Sequence, residues 1–444
     1  MHDKEGAAWL NDRAQQALQF ALNAGAADVW VSATRQREVD LEMREGTLEK
    51  VQEATSRGLS LRVWVGGRYG AHNTTDLRAD RLESFVRSAV ELTGALEPDP
   101  DRQIPDPSLF EGRSDVDLEL LDPRVSELTP EQRVAWLRAM QEEVQGTPKL
   151  ISANSSVSSG QGMSVAVSSN GFSGSTESSS IWLSTSLTLQ DEGDKRPEGG
   201  FWAGGRHVSD LPEAAAVAKQ AVQWASERVG SGKGKTANTT MIVHPRAGGR
   251  LVRGLLRPAQ GGSVHQGRSM WRDRLGKAVI SPRLEVIDDP LVVRGLSSRP
   301  YDNEGIAAKP LPLLRDGALH NLYLSTTYAK KLSMTPTTGS PSNQVITPGK
   351  RDLEALIGAT SRGYLVTGWL GGNMDPTTGD FSYGVRGFAI ENGRRAGSVG
   401  EMNITGNLLS IFERLAEVGS DPWPYGSLRS PSLVFENVQF SGVG

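Results

Sequence analysis

The sequence predicts an α+β protein of two domains. Residues 1–232 are expected to form a mixed or antiparallel sheet carrying helices, and residues 236–444 a β-rich domain with a curved-sheet or barrel-like form. Three observations predict this. Runs with period-two alternation recur along the whole chain, from Val39, Leu41 and Met43 to the stretch Ser432–Phe440. Amphipathic segments with three-and-four spacing are few in the second half. Glycine is abundant, 50 of 444 residues, which suits a chain with many corners.

The first helix is expected from Ala7 to Ala24, with Leu10, Ala14, Leu18, Ala21 and Leu22 on one face and Gly25 as its stop. Two alternating runs follow, Asp28–Ala33 and Glu38–Met43, then a turn at Glu45–Gly46–Thr47. Strands near Leu48–Ala54 and Leu59–Val65 lead to Gly66–Gly67, a two-residue hairpin signal. A second helix, Arg78–Leu92, carries Leu82, Phe85, Val86, Ala89 and Val90. The acidic, proline-rich stretch from Glu97 to Ser108 reads as a surface crossing.

Thr129–Pro130–Glu131–Gln132 has the chemistry of a helix start: a Thr cap, Pro at the first position and Gln reaching back. That helix runs to about Val144. From Lys149 to Gln190 the chain is Ser-rich yet strongly alternating (Val157, Val165, Val167, Ile181, Leu183), so it reads as an antiparallel meander rather than a linker. Asp210–Glu213 opens a helix to about Arg228. Gly230–Thr236 reads as the linker between domains; its likeness to a phosphate-binding loop fails because Val229 stands where a glycine is required. Beyond it, strands are expected near Leu284–Ile287, Leu291–Val293, Leu311–Arg315, His320–Leu324, Gly363–Leu370, Phe381–Ile390 and Ser432–Phe440, with a helix over Ile404–Val418.

Composition excludes several functions. The net charge is −4 with no polybasic block, so the electrostatic footprint of a nucleic-acid binder is missing. There is no cysteine, which removes disulfides, thiolate catalysis and Cys-held metals and fits a cytoplasmic setting. Charges at Asp3, Lys4, Glu5, Asp12 and Arg13 argue against a secretory leader, and no apolar run is long enough to span a membrane. No Gly-x-Ser-x-Gly elbow is present for a serine nucleophile.

The stretch that organises the rest is Thr240–Gly262. The apolar run Met241–Val243 reads as a strand, and Leu251, Val252, Leu255 and Leu256 as one face of a helix over residues 245–258. His244 stands at the junction, followed by Pro245, which suits a first helical turn.

Strings across nearly the whole chain resemble the TldD/PmbA family, and its PmbA (TldE) branch in particular. They are VDLEMREGTLE (Val39–Glu49), RGLSLR (Arg57–Arg62), GRS (Gly267–Ser269), IDD (Ile287–Asp289), YDNEG (Tyr301–Gly305), YAKKL (Tyr328–Leu332), GGNMDPTTGD (Gly371–Asp380) and ENG (Glu391–Gly393). The resemblance implies a metallopeptidase-type protein of two kinds of subunit. One kind carries a His-Glu-x-x-x-His zinc motif and a late cysteine ligand. The other lacks the motif and pairs with the first around a cavity for unfolded peptides. Laid on this chain, the motif finds His244 at its first histidine, Pro245 at its glutamate and Gly249 at its second histidine. Zinc hydrolysis needs about three protein ligands and a proton acceptor. The expectation is therefore no catalytic residue and no metal on this chain, with zinc held by a TldD-like partner.

Two loops are read in two ways. Asp302–Asn303–Glu304–Gly305 is either a turn whose carboxylates cap nearby N–H groups or a wall of the peptide cavity, and the loop holding Asn373 and Thr378 is similar. Asp288 and Asp289 suit a cap or an ion pair better than acid–base chemistry, and Trp30, Trp64, Trp182 and Trp369 suit core or interface anchors. The expected function is a non-catalytic TldE/PmbA-like subunit acting on extended peptides. The alternatives are an independently active hydrolase with rewired ligands (a set such as His244, His265 and Asp289), or a peptide-binding scaffold working as a homodimer. Homodimerisation is open to the isolated chain in either case.

Overall fold

The structure, a computed structural model, describes residues 6–442, so Asp3, Lys4 and Glu5 lie outside the described residues. The first unit begins with α1 (Ala7–Asn23), β1 (Asp28–Arg44), β2 (Thr47–Val65), β3 (Arg68–Thr74) and α2 (Ala79–Gly94). After the proline-rich crossing come α3 (Pro130–Val144), β4 (Leu150–Ser168), β5 (Ser173–Leu189), β6 (Glu198–Gly205) and α4 (Ala214–Ser226). The six strands form one antiparallel sheet in the order β3-β2-β1-β4-β5-β6. A helix–three strands–helix unit thus occurs twice, and the two copies meet where β1 pairs with β4, from Trp30↔Ser168 to Arg44↔Asn154.

The central strands β1 and β4 are long because each crosses two cores. Near one end, Leu10 and Leu18 of α1 and Leu82 and Val86 of α2 pack on Val29, Val31, Leu61 and Val63. Near the other, Leu137 and Met140 of α3 and Val217 and Ala221 of α4 pack on Val39, Leu41, Val157 and Leu183. Val29, Val31, Val39 and Leu41 share one face by parity. The opposite face carries Trp30, which packs with Phe110 and Phe172 beside Tyr301. The predicted capping box at Thr129 is present: its hydroxyl accepts the Gln132 N–H at 3.3 Å, and the Gln132 side chain accepts the Thr129 N–H at 2.9 Å.

In the second unit five strands close a barrel: β7 (Ala237–Val243), β8 (Arg362–Met374), β9 (Asp380–Glu391), β10 (Arg394–Asn407) and β11 (Leu433–Ser441). The order is β11-β7-β8-β9-β10, and the ring closes where Asn403 and Ile404 of β10 pair with Ser441 and Phe440 of β11. The barrel-like expectation holds. β7 and β8 are parallel, and α5 (Pro245–Leu256) opens the long connection between them. Leu251, Val252, Leu255 and Leu256 of α5 join Met241, Val243, Val366, Tyr383 and Phe435 in one core. Ile242, Leu365 and Ile390 point the other way, onto the short helix Leu353–Gly358. A smaller sheet built on Val286–Asp289, Leu311–Arg315 and Asn343–Ile346 lies along the same connection.

Several expected elements differ. The two pairs of short strands expected over residues 28–65 are two single long strands, because Arg35↔Arg57 and its neighbours stay paired through the polar middle. The helix expected over Ile404–Val418 is the end of β10, a short helix Leu408–Glu413 and a strand Leu415–Val418. Leu291–Val293 is a turn, and His320–Leu324 contributes only an isolated bridge at Tyr323. Within the expected linker, Gly232–Lys233 pairs with Val399–Gly400 of β10, so that segment is tied to the barrel.

Candidate functional site

Val243 ends β7, and His244 turns the chain into α5. Its backbone N–H donates to the Val366 carbonyl at 2.9 Å, and its Nδ1 accepts the Arg246 N–H at 3.1 Å, which makes the imidazole the helix cap. The ring stands edge-on to Trp224 and Trp423, with centroids 6.1 and 6.4 Å away. Burial, together with the cations Arg246 and Arg395, pushes the imidazole down to about 3. His244 is therefore neutral at physiological pH. With Nδ1 accepting an amide hydrogen, its proton sits on Nε2. Neither ring nitrogen presents a free lone pair.

Pro245 and Gly249 follow on the first turns of α5. A Cβ added to Gly249 would lie 3.2 Å from Leu428 Cδ2 and 3.6 Å from Arg253 Nη1. Arg246, Arg250, Arg253 and Arg257 recur along this helix at helical spacing. Arg250 donates to the Gly372 carbonyl at 2.8 Å and lies 4.2 Å from the Tyr383 ring centroid. One engaged imidazole among guanidiniums does not fit a divalent cation. Nor are ligands assembled from elsewhere: among the described residues no group of three or more His, Cys, Asp or Glu side chains could hold a metal ion. His320 Nε2 meets the Arg315 carbonyl at 3.1 Å, the His265 ring lies 6.2 Å from that of Tyr328, and Asp289 accepts the Leu291 N–H at 2.9 Å.

Around this junction the two units enclose a cavity of about 470 Å³, bounded by α4, the start of β6 and the barrel wall of β8 to β10. Arg228, Arg246 and Arg386 line it. Arg246 lies 3.4 Å from the Trp224 ring centroid, and its Nε donates to the Thr367 carbonyl at 2.8 Å. Burial and the charge of Arg386 hold Arg246 down to about 9 and Arg228 down to about 10, and burial lowers Arg386. An aromatic recess of about 370 Å³ adjoins it, sharing Trp224 and Arg246 and walled by Phe201, His244, Trp423 and Tyr425. Sequence reasoning missed these groups. The arginine stripe of α5 was legible in its spacing, but nothing local joins Arg228, Arg246 and Arg386.

The Asp302–Gly305 loop sits at the seam of the two units. Asp302 is buried; Oδ1 accepts the N–H groups of Glu304 and Ile306, and Oδ2 accepts the Gly339 N–H and the Thr338 hydroxyl, all at 2.9–3.1 Å. Glu304 accepts the Thr326 N–H and hydroxyl at 2.8 and 2.9 Å, and burial pushes its carboxyl up. The Asn303 carbonyl accepts from Arg62 of β2, and Gly305 backs onto Phe172 and Trp30. The carboxylates thus cap groups of their own unit, while Asn303 and Gly305 meet the sheet unit. Asn373 pairs with Ser382 at the exposed end of the β8–β9 hairpin; Thr378 donates to Asp380 at 2.8 Å, and its carbonyl accepts from Asn407 at 2.8 Å. Asp288, fully buried, accepts from Tyr323, Ser342 N and the Ser342 hydroxyl, a structural network. Trp30 and Trp64 are core residues, while Trp182 and Trp369 are half-buried.

Comparison with known proteins gives three matches to one family. Residues 31–93 match PmbA/TldA metallopeptidase domain 1, residues 123–228 the central domain and residues 236–442 the C-terminal domain. The first two segments are the two halves of the six-stranded sheet. The metalloprotease PmbA of Escherichia coli is 26% identical over 98% of this chain and 96% of its own. A crystal structure from Bacteroides thetaiotaomicron, of a protein proposed to modulate DNA gyrase, is 34% identical, with a TM-score of 0.95 over 99% of this chain and 100% of its own. TldE from Thermococcus kodakarensis shares the fold, with a TM-score of 0.86 over 97% of this chain and 100% of its own at 19% identity.

Proposed function

Because the chain belongs to the PmbA/TldA metallopeptidase family, we propose that it is a non-catalytic TldE/PmbA-like subunit. In this reading it pairs with a TldD-like zinc-binding subunit in the cytoplasm and shapes the cavity in which unfolded peptides are cut. One observation carries the reading. At the strand-to-helix junction where the family's zinc motif falls, His244 caps the helix with its lone pair, Pro245 supplies no acid or base, and Gly249 faces Arg253. A metal site needs deprotonated ligands and a general base, and none stands there.

The surroundings suit peptide binding. β6 is an outer strand of the sheet, and its first residues, Glu198–Gly200, line the cavity. An extended peptide can add to such an edge by main-chain hydrogen bonds, with alternate side chains entering pockets. The adjoining aromatic recess would take apolar ones. No described helix is long and apolar enough to cross a membrane. The test is to purify the chain with and without a TldD-like protein and to measure bound zinc and cleavage of an unfolded peptide. Zinc and cleavage are expected only with the partner; a homodimer that binds peptide and ignores the partner would overturn the reading.

A further inference from the structure

We propose that the cavity between α4 and the barrel wall is a carboxylate-binding site, in which Arg228, Arg246 and Arg386 receive an anionic group of the bound peptide. The inference rests on the peptide reading above and deepens it by naming the group recognised.

Three guanidiniums converge on one partly closed space. Their charges are answered only in part: Glu198 stands near Arg228 and Glu227 near Arg246, and no acidic group offsets Arg386. No hydrogen bond or ion pair to the side chain of Arg228 or Arg386 exists among the described residues. Arg246 uses only Nε, on the Thr367 carbonyl, and leaves both terminal nitrogens free. The backbone makes room for this arrangement: a Cβ on Gly368 would lie 2.5 Å from Arg386 Nε. Mutual repulsion of like charges in a low-dielectric space destabilises the folded chain. An anion placed among them would relieve it, with planar forks that suit a carboxylate.

The lining selects among anions. Basic side chains outnumber acidic ones six to four, and Glu198 and Glu227 are among the acidic ones. Glu198 faces Arg228 and Glu227 faces Arg246, each raising its partner. Those carboxylates would repel a dianion more than a monoanion, which disfavours phosphate. The aromatic recess beside the arginines fits an apolar group next to the charge. A peptide supplies the carboxylate either at its C-terminus or on an Asp or Glu side chain.

The test is calorimetric titration of the full chain with three peptides of one apolar sequence: the free acid, the C-terminal amide, and the amide with a Glu in the last position. At least one carboxylate form is expected to bind tenfold or more tighter than the neutral amide, and which one does identifies the source. Arg228→Gln and Arg386→Gln should shrink that preference below threefold without lowering the melting temperature, since each removes one of three clustered like charges. Arg257→Gln, on the exposed end of α5, should leave the preference intact. Equal binding of acid and amide would overturn the carboxylate site while leaving the peptide reading standing; binding of no peptide would overturn both. Displacement of the peptide by inorganic phosphate at equal concentration would also overturn the selectivity for a carboxylate.

Discussion

The guanidinium of Arg246 lies over the indole of Trp224, 3.4 Å from the ring centroid. This contact joins α5 of the barrel unit to α4 of the sheet unit, so the strand-to-helix junction is also a joint between the two. Trp224 further meets Phe201, Trp423 and His244 edge-on or tilted. Replacing Trp224 by Leu is expected to lower unfolding stability by about 2 kcal/mol, from lost stacking and lost aromatic area. Arg246→Lys keeps the charge but not the flat face, and should cost about 1 kcal/mol. Urea midpoints of the two variants check the order; a larger loss in Arg246→Lys would speak against the stacking role.

His244 gives a pH dependence with a defined sign. Its folded pKa is about 3, held down chiefly by burial, against an ordinary value of 6.5. Between those values the unfolded chain binds the extra proton, so stability rises with pH across that window and is lost as pH falls through it. The loss from pH 7 to pH 4 attributable to His244 is on the order of 3 kcal/mol. His244→Asn keeps a capping side chain and removes the titration. The expected result is a shallower acid-side fall in melting temperature for the variant; parallel curves would contradict it.

Installing glutamate at 245 and histidine at 249 should not create a metal site. In the double variant Pro245→Glu, Gly249→His, the new side chain at 249 starts 3.2 Å from Leu428 and beside Arg253, and His244 remains engaged as the cap. Cationic neighbours oppose a divalent ion, and the third ligand is still missing. Metal analysis after dialysis should find well under one zinc per chain. Stoichiometric zinc would show that the site's framework is intact.

Gly305 and Gly46 form a matched pair. Their φ values are +78° and +79°, but a Cβ at Gly305 would lie 2.5 Å from Phe172 and 2.8 Å from Trp30, whereas nothing lies within 4 Å at Gly46. Gly46→Ala should cost about 1 kcal/mol from backbone conformation alone. Gly305→Ala should cost about 3 kcal/mol or more, because the loop must also move off the aromatic cluster. Equal losses would mean that the 302–305 loop does not brace the two units.

What the sequence revealed follows the reach of each signal. Local signals succeeded: the Thr129–Gln132 capping box, the Gly66–Gly67 hairpin with both φ positive, and the strand–His244–helix junction are all present. The failures have long-range causes. Ile404, Leu408, Ile411, Leu415 and Val418 repeat at four and three, like a helix, yet Ile404 pairs with Phe440 and Leu415 with Phe435 to close and edge the barrel. Thr34–Arg37 lacks alternation because the middle of β1 lies between two helix-covered cores, and cross-strand partners alone keep it extended. The repeated helix–three strands–helix unit was hidden because one copy is charged and the other Ser-rich. The identity of positions 244, 245 and 249 was readable; the cluster of Arg228, Arg246 and Arg386 was not, since it exists only once the turn after α4, α5 and β9 are brought together.

The most direct test is zinc content and peptide cleavage measured side by side for this chain alone, a TldD-like partner alone and the two mixed. Cleavage should require the partner, zinc should track the partner's concentration, and His244→Ala in this chain should leave the mixed activity within about twofold. Zinc-dependent cleavage by this chain alone, abolished by His244→Ala, would contradict the non-catalytic assignment.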